Sequence, residues 1–549
     1  MAEKAFTGRI TVDPITRIEG HLRIDVEVKD GVIANSWSSA QLFRGLEMIV
    51  LGRPPEDVHH YVQRACGVCT NSHSLASIRA VENAVGVKPP PAAELVRHLI
   101  LGMLNIHDHL VHFYHLHALD FFDMASALKA DPVAAAKLAT QVSGREVQPG
   151  DYFMVQAKLK KFVESGQLGW LTNAYFLGGH PSYRLTPDEN LILAANYLEG
   201  LRVQVKLAHA WAIFSGKNPH AQTLQVGGVT CYESLQPERL AEFKAIYEEC
   251  VPFIRHNYMG DLILLGRRYP EACVYGRTTN FMDFSDFHDP ETGKNPAFRG
   301  GVMWKRDLKR VEEFDPNALK EDVTRGWYKT TEAKHPYEGR TEPVPGDFDP
   351  DGKYSWVKAP RYKGESMETG PLARQAIAYA RGDKATVSFM NAWLSACGLK
   401  PENMFSTLGR TAARMVETLV LLDLVSGWHK DLVARAKHPD VEIYRPWKMP
   451  DKARGVGYVT APRGGLSHWI RIEGGKTANY QMVVPSTWNL GPRCAAGKLS
   501  AVEESLVGNP VADPERPVEI LRTVHSYDPC IACAVHVIHA GKTTKFKVL

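Results

Sequence analysis

Two Cys-x-x-Cys pairs at opposite ends of the chain constrain its fold more than any other feature. Cys66 and Cys69 form the first pair, and Cys530 and Cys533 form the second. Two close pairs of thiolates can build one site for a soft metal ion. A zinc ribbon places its second pair about 15–20 residues after the first, whereas here more than four hundred residues intervene. The two ends of the chain must therefore meet, and the site would lie in the core of a large protein.

The composition is that of an ordinary soluble globular protein. Of the 549 residues, 44% are hydrophobic and 23% are charged, which is usual for folded domains. The 65 basic and 61 acidic residues leave a net charge of only +4, which gives no support for binding to nucleic acid or to a membrane surface. No run approaches the roughly 18 consecutive apolar residues of a membrane span. The N-terminal residues also lack the apolar run of a secretory signal, so we expect no transmembrane segment and no signal of the chain's own.

The pattern of apolar residues predicts an α+β fold, with a core bundle of long helices and β-rich N-terminal and C-terminal portions. Asp30-Gly31 predicts a hairpin turn between two alternating runs. Thr186-Pro187-Asp188-Glu189 predicts a helix start, because it combines an N-cap, a proline at the first helical position and a capping-box glutamate. The predicted parts are a β-rich part (8–60), a helical core (61–273), an irregular, partly β excursion (274–370) and a helical and β part with the second Cys pair (371–536).

The remaining thiols and histidines have simpler interpretations. Five further cysteines lack paired spacing and are interpreted as buried thiols without disulfides: Cys231, Cys250, Cys273, Cys397 and Cys494. His109, His112 and His115 have the spacing of ligands on one helix face. Two interpretations stay open: a dinuclear metal site held by histidines, or a packed, hydrogen-bonded helix face.

The cysteine spacing alone leaves a closed structural zinc site with four sulfur ligands as an alternative. The residues around each pair favour a different site. Arg64 and Asp528 each stand two positions before their pair, and His73 and His536 follow. A closed zinc site needs nothing beyond the sulfurs, so these polar neighbours indicate a site with chemistry of its own.

These motifs together resemble the large, catalytic subunit of nickel–iron hydrogenases. The motifs RxCGxCxxxH (64–73) and DPCxxCxxH (528–536) are the two signatures of that family, and RIEGH (17–21), RGLE (44–47) and HDH (107–109) accompany them. The resemblance runs from about residue 8 to residue 536. Overall, the chain is similar to periplasmic enzymes of this family from sulfate-reducing bacteria. It implies reversible, heterolytic cleavage of H2 into protons and electrons. A hydrogen-sensing regulatory subunit would share the same ligands and is the alternative within the resemblance.

The resemblance also implies the metal ligands. All four motif cysteines would bind nickel, and Cys69 and Cys533 would also bridge to an iron that carries carbon monoxide and two cyanides. A separate magnesium site would be formed by Glu47, His536 and the main-chain carbonyl of Met482.

Further residues match the surroundings of the metals in that family. Arg463 and Ser486 would hydrogen-bond the cyanides, and Pro462 and Pro485 would fix that lining. Asp108 and Asp528, with Arg463, would form a charged canopy over the open metal position. Glu19 would accept the proton from the thiolate of Cys530.

The chain has too few cysteines for iron–sulfur clusters, so the resemblance implies a heterodimer with a cluster-bearing small subunit. A cytochrome c-type electron carrier is expected beyond it. The chain would reach the periplasm by export together with the small subunit. Residues 1–536 would form the large-subunit unit, and residues 537–549 would be a tail that a maturation endopeptidase removes after His536.

Overall fold

The computed structural model describes residues 5–166 and 179–534, with only the backbone of Cys533 and Ala534. Within these residues, no helix is long and apolar enough to cross a membrane. The helices are α1 (Leu46–Ile49), α2 (Val58–Val62), α3 (Thr70–Val85), α4 (Pro91–Val111), α5 (Pro132–Ser143), α6 (Pro149–Glu164), α7 (Pro187–Ser215), α8 (Pro237–Pro252), α9 (Met259–Arg268), α10 (Pro371–Ala380), α11 (Lys384–Ala396), α12 (Thr407–Ala436), α13 (Pro485–Leu490), α14 (Ala501–Leu506), α15 (Val518–Ser526) and α16 (Ile531–Ala534).

Among the described residues, the strands form two three-stranded antiparallel sheets and three two-stranded sheets, so the chain is a mixed α and β structure. The N-terminal sheet contains β1 (Gly8–Val12), β2 (Leu22–Lys29) and β3 (Val32–Ala40), and the C-terminal sheet contains β10 (Lys452–Ala461), β11 (Gly464–Glu473) and β12 (Lys476–Val483). The two-stranded sheets pair β4 (Leu224–Gln225) with β5 (Gly228–Val229), β6 (Phe281–Asp283) with β7 (Gly301–Met303) and β8 (Leu319–Asp322) with β9 (Ala359–Tyr362).

Long helices pack at the centre of the molecule, where α4 lies against both α7 and α12. The predicted start of α7 is confirmed: the Thr186 side chain accepts from the Glu189 N–H, and Glu189 caps Thr186 in return. The helix ends at Gly216, which has a φ of 79°. The apolar stretch after α4 departs from α geometry, because His112–His117 form a π-helical turn. A second π-helical turn, Phe253–Tyr258, joins α8 to α9. Helix α11 was not predicted from the sequence.

The N-terminal sheet packs against α14 and α15, which lead into the second Cys pair. The Ser36 hydroxyl donates to the Glu503 carbonyl at 2.7 Å, and the Ser38 N–H donates to the Glu503 carboxylate at 3.1 Å. The predicted Asp30-Gly31 turn joins β2 to β3, and both residues have positive φ angles. This packing brings the loop after β1 to the C-terminal end of the described chain.

The C-terminal sheet positions the first Cys pair through α3, which lies directly on β10. A Cβ atom at Gly457 would collide with the Ala76 carbonyl, and one at Gly455 with the Ala80 carbonyl. Glycine at these two strand positions therefore allows the backbones of α3 and β10 to approach closely. In the irregular segment between residues 274 and 370, Trp327, Tyr328 and Tyr354 are buried, whereas Trp304 and Trp356 are half-buried. The division of the chain into parts at 8–60, 61–273, 274–370 and 371–536 stays a prediction.

Candidate metal centre

Three of the four motif cysteines come together in the core. The sulfur atoms of Cys66, Cys69 and Cys530 all lie within 4.8 Å of one another, and all three residues are buried. The Cys66 and Cys530 sulfurs are 3.4 Å apart. This is the one group of at least three clustered His, Cys, Asp or Glu ligands in the described part of the chain. The side chain of Cys533 lies outside the described residues, so its predicted role stays a prediction.

The first pair lies at the beginning of α3. Cys69 is the N-cap of that helix, and Cys66 follows a short 3-10 turn. The Cys66 sulfur accepts from the N–H groups of Val68 and Cys69, both at 3.2 Å. A helix N-terminus and two converging N–H groups stabilise negative charge, so this end of α3 favours a thiolate at Cys66.

The second pair is joined to Glu19 through the backbone. Glu19 and Cys530 form a parallel β-bridge, in which the Glu19 N–H donates to the Pro529 carbonyl at 3.2 Å. The Ile531 N–H donates back to the Glu19 carbonyl at 2.7 Å. Gly20 permits this approach, because a Cβ atom there would lie 2.7 Å from the nitrogen of Ala532. Its φ of 87° also favours glycine.

The Glu19 carboxyl lies next to the thiol of Cys530. The Cys530 sulfur is 3.4 Å from Glu19 Oε2, which also accepts from the Ala532 N–H at 3.0 Å. Burial and the nearby charge of Cys66 raise the pKa of the Glu19 carboxyl. A half-buried carboxyl with a raised pKa, in contact with a thiol, can exchange a proton with that thiol.

Arg463 lies in the two-residue turn that connects β10 to β11, directly after Pro462. Its Nε donates to the Asp528 carbonyl and its Nη2 to Asp528 Oδ1, both at 2.9 Å. Its Nη1 is 3.5 Å from Asp108 Oδ2 on α4. Asp528 has a φ of 55°, a left-handed conformation that aspartate adopts more readily than most residues. The structure therefore brings the three residues of the predicted canopy together, while their place over a metal stays a prediction.

The canopy retains unused hydrogen-bonding capacity. Arg463 Nη1, Asp108 Oδ2 and Asp528 Oδ2 are buried and have no hydrogen-bond partner among the described residues. Burial raises the pKa of both carboxyls, whereas the charges of Asp528, of the nearby cysteines and of Asp108 outweigh burial and raise the pKa of Arg463. Buried polar atoms without partners cost free energy, so they point to a ligand that would satisfy them.

A small, mainly apolar cavity lies between Arg463 and the cysteines. Its lining comprises Cys69, Ser72, His73, Ala461, Arg463, Leu466, Val484, Pro485 and Ser486. Pro485 is the first residue of α13, where its fixed φ suits a helix start. Ser486 Oγ accepts from the Cys530 N–H at 3.1 Å, which leaves its own hydroxyl proton for an acceptor in the cavity. Soft buried thiolates beside unpaired donors fit a metal that carries small charged ligands.

The predicted magnesium residues are partly brought together. The buried Glu47 carboxylate accepts from the Met482 N–H at 2.8 Å and from Lys358 Nζ at 2.9 Å. Glu321 lies on the other side of Lys358, at 3.7 Å, and burial raises its pKa to about 7. Glu321 Oε1 has no hydrogen-bond partner among the described residues. Two carboxylates of this kind fit a hard cation, whereas His536 lies outside the described residues.

Sequence reasoning missed several residues near these sites. Lys358 and Glu321 carried no motif, since only the fold brings them to Glu47. His107 lies next to Asp108 in the HDH motif, which was the available signal for its contact with that carboxyl. His109, His112 and His115 bond to three separate partners, a pattern that favours the packed-face interpretation: Glu417, the His525 carbonyl and the Tyr197 carbonyl.

Comparison with known protein families gives one consistent result. A family model described as nickel-dependent hydrogenase matches residues 44–536, and a model described as HoxL-like matches residues 9–34. The chain is 43% identical over 560 residues to the quinone-reactive Ni/Fe-hydrogenase large chain of Wolinella succinogenes, with 97% of this chain and 96% of that protein covered. It is 40% identical over 568 residues to the hydrogenase-2 large chain of Escherichia coli strain K12, with 98% and 100% covered.

Solved structures give the same answer for the fold. The reduced Ni-Fe-Se hydrogenase from D. vulgaris Hildenborough matches with a TM-score of 0.80 and 31% identity, covering 97% of this chain and 100% of that one. The H2-activated [NiFeSe]-hydrogenase from Dm. baculatum matches with a TM-score of 0.79 and 32% identity, with 97% and 100% covered. The solved structures named here come from organisms other than those of the curated relatives above.

Proposed function

We propose a working arrangement for this site on one premise: the chain belongs to the nickel-dependent hydrogenase family, as a large, catalytic subunit. In this arrangement Cys66, Cys69, Cys530 and Cys533 hold a nickel–iron centre. The observation that carries the proposal is the meeting of three buried thiols from segments 464 residues apart in the chain. When bound, the two metals act as Lewis acids that polarise H2 for heterolytic cleavage.

The chain's own residues take up the proton. The thiol of Cys530 gives its proton to Glu19 Oε2, so that the S–H bond breaks as the O–H bond forms. The support is the 3.4 Å separation of these two atoms. Burial raises the pKa of Glu19 above its ordinary value, which brings it closer to the pKa range in which a relay works near neutral pH.

Arg463 and Ser486 would hydrogen-bond the ligands of the iron, and the carboxyls of Asp108 and Asp528 would form, with Arg463, a charged canopy over the open metal position. The iron would carry carbon monoxide and two cyanides, and cyanide is an anionic acceptor suited to guanidinium and hydroxyl donors. The unpartnered Arg463 Nη1 and the hydroxyl proton of Ser486 supply these donors at the small cavity. Pro462 and Pro485 fix the two turns that present them.

Glu47 and the main chain of Met482 would hold magnesium together with His536. Glu47 would supply a hard oxygen ligand, while Lys358 lies between Glu47 and Glu321 and compensates their charges. Because Met482 is on β12, next to the strand that follows Arg463, an ion here would brace the C-terminal sheet behind the metal centre.

The electrons leave through a second subunit. A cluster-bearing small subunit would accept them and pass them to a cytochrome c-type carrier, and co-export with that subunit would place the enzyme in the periplasm. We further propose that a maturation endopeptidase cuts after His536. The intact mass of the active enzyme should then correspond to a large subunit that ends at residue 536, and a full-length mass with full activity would contradict the cut.

Replacing Cys530 with serine tests the metal assignment. We expect Cys530→Ser to abolish hydrogen turnover and to reduce nickel content in the purified heterodimer, because a hydroxyl does not replace a soft thiolate ligand. Elemental analysis and infrared spectroscopy measure the metals and their diatomic ligands directly.

Cys250→Ser is the matched control, since Cys250 is also a buried thiol but lies on α8, away from the centre. It should keep most activity and all of the nickel. Equal losses from the two substitutions would contradict the assignment of Cys530 as a ligand.

A further inference from the structure

The Asp108 carboxyl is connected to the protein surface by a short chain of hydrogen bonds. Asp108 Oδ1 is 3.0 Å from His107 Nδ1, and His107 Nε2 is 3.1 Å from Gln204 Oε1 on α7. Exposure increases along the chain. The Asp108 side chain is fully buried, the His107 side chain is 11% exposed, and Gln204 is half-buried at the surface.

The tautomer of His107 follows from its partners. Gln204 Nε2 donates to the Leu201 carbonyl at 3.3 Å, which orients the amide so that Oε1 faces His107. An amide oxygen only accepts, so His107 Nε2 must carry a proton. A neutral His107 then has no proton on Nδ1, and the 3.0 Å contact with Asp108 requires a proton from the carboxyl. One transferable proton therefore lies between Asp108 and His107.

We propose that His107 carries protons between Asp108 and solvent, as a second proton route beside Glu19. This inference rests on the proposed function, because it needs protons to be released at the centre beneath the canopy. Asp108 Oδ2 accepts no hydrogen bond among the described residues and lies 3.5 Å from Arg463 Nη1, while Oδ1 faces His107. The Asp108 carboxyl thus has one oxygen toward Arg463 and the candidate metal centre, and the other toward His107 and the protein surface.

The transfer balances without any redox step. The Asp108 O–H bond breaks as an N–H bond forms at His107 Nδ1, and the Nε2–H bond then breaks as the proton passes to water. The ring is left with its proton on Nδ1. To act again, the ring turns about the Cβ–Cγ bond away from Asp108, one water molecule takes the Nδ1 proton and another gives a proton to Nε2, and the ring returns as the first tautomer. Trp211 lies edge-on to this ring, at a centroid distance of 4.8 Å.

Gln204 acts as a positioning residue in this route. It holds the Nε2–H tautomer and marks the point where the ring meets water. His115 offers a matched comparison, because it is a half-buried histidine of the same stretch that also contacts α7, through the Tyr197 carbonyl. Asp108 bonds to His107 and not to His115.

The test compares proton exchange in the assembled enzyme when the Glu19 route is blocked. Formation of HD from D2 in ordinary water is measured in Glu19→Gln, alone and combined with His107→Gln, Gln204→Leu or His115→Gln. Glutamine at position 107 keeps hydrogen bonding but does not accept a proton. We expect His107→Gln to lower the remaining exchange about tenfold or more, Gln204→Leu to lower it less, and His115→Gln to leave it within about twofold.

A second measurement separates relay from structure. His107→Ala in the Glu19→Gln enzyme should regain exchange when imidazole is added, because free imidazole replaces the missing proton carrier. Nickel content and infrared bands should match those of Glu19→Gln in every double variant. If His107→Gln loses nickel, its lower exchange no longer tests the relay. The surface substitution Gln204→Leu then tests it, since an unchanged HD exchange in that variant would count against the route.

The results separate this inference from the proposed role of Glu19. Full exchange in Glu19→Gln would reject Glu19 as the main route, and His107→Gln in the otherwise unchanged enzyme would then have to lower exchange by itself. No exchange at all in Glu19→Gln, or equal exchange with and without His107, would overturn the second route.

Discussion

Several ionisable side chains of this protein are buried, where a charge costs free energy. Burial in a low-dielectric interior disfavours ionisation, unless an opposite charge or several hydrogen bonds compensate. In the canopy, Arg463 lies between Asp528 and Asp108, so that its positive charge compensates their buried carboxylates. Asp261 on α9 has no such cation among the residues that the structure describes, where it accepts hydrogen bonds from neutral groups, the hydroxyl of Tyr114 at 2.7 Å and the amide of Asn196 at 2.9 Å.

The pH dependence of stability should reveal this difference. Burial raises the pKa of Asp261 to about 7, above the ordinary value of about 3.9 for an unfolded chain. The folded state then binds the extra proton, so the free energy of unfolding falls as pH rises through this interval, by on the order of 4 kcal/mol at most. Asp261→Asn removes the titrating group. The melting temperature of this variant relative to the parent should rise from pH 5 to pH 8.

Asp286 provides a control of opposite sign. Burial raises the pKa of its carboxyl, but Arg79 and main-chain N–H groups outweigh burial, so that the pKa lies below its ordinary value. Asp286→Asn should therefore lower the melting temperature throughout pH 5 to pH 8, with little change in the size of the effect. A constant difference between Asp261→Asn and its parent over this range would refute the neutral, buried state of Asp261.

At the scale of elements, the centre depends on close contacts between a few backbones. The α3 helix presents Cys66 and Cys69, and it lies on β10 at the height of Gly455 and Gly457. The loop that carries Glu19 packs against the segment that carries Cys530, and Gly20 is the residue that allows the close approach. Both contacts fix the distance between catalytic groups through main-chain atoms.

Gly457→Ala should separate α3 from β10. The added methyl group collides with the Ala76 carbonyl, which side-chain movement does not relieve. Overpacking of this kind costs about 1–3 kcal/mol, so we expect a melting temperature lower by about 1–3 °C for a chain of this length and reduced nickel content, because Cys69 moves with the start of α3. Thermal denaturation and elemental analysis measure both effects.

Gly427→Ala is the matched control. Gly427 is an exposed glycine of α12, and no atom lies within 4 Å of the added methyl group. Alanine is favoured over glycine inside a helix by about 1 kcal/mol, so this variant should be as stable as the parent or more stable. Stability and nickel content of Gly457→Ala equal to those of Gly427→Ala would show that the contact tolerates a side chain.

At the scale of the whole molecule, the metal centre closes the chain upon itself. Its proposed ligands come from the start of α3 and from the residues after α15, while the long helices α4, α7 and α12 form the core between these two ends. Ligand binding stabilises the parts of a folded protein that must be ordered to form the site. Metal loading should therefore tie the two ends together more than it affects the helices between them.

Hydrogen exchange can measure this coupling. We expect amides in residues 60–70 and 526–534 to exchange more slowly in nickel-loaded heterodimer than in heterodimer produced without nickel. Amides in the middle of α12 serve as the internal control and should be unchanged, since that helix supplies no metal ligand. Equal protection of α12 and of the two ligand segments, or none at residues 526–534, would contradict a local closure by the metal.

The sequence by itself determined the chemistry of this protein. Two Cys-x-x-Cys pairs with their polar neighbours identified the family and predicted the candidate site residues, because these motifs and the short turns that carry them are local in the chain. The capping box at Thr186 and the turn at Asp30-Gly31 were also predicted, since both depend on neighbouring residues only.

Only the tertiary structure decided which distant groups meet. The contact of Lys358 with Glu47 and the route from Asp108 through His107 to Gln204 join separate elements. No local pattern marks such contacts, because they depend on how helices and sheets pack. The π-helical turn after α4 was missed for the same reason, as tertiary packing overrode a continuous helical pattern. Local sequence thus specified the reactive groups, and packing of the whole chain set the distances at which they act.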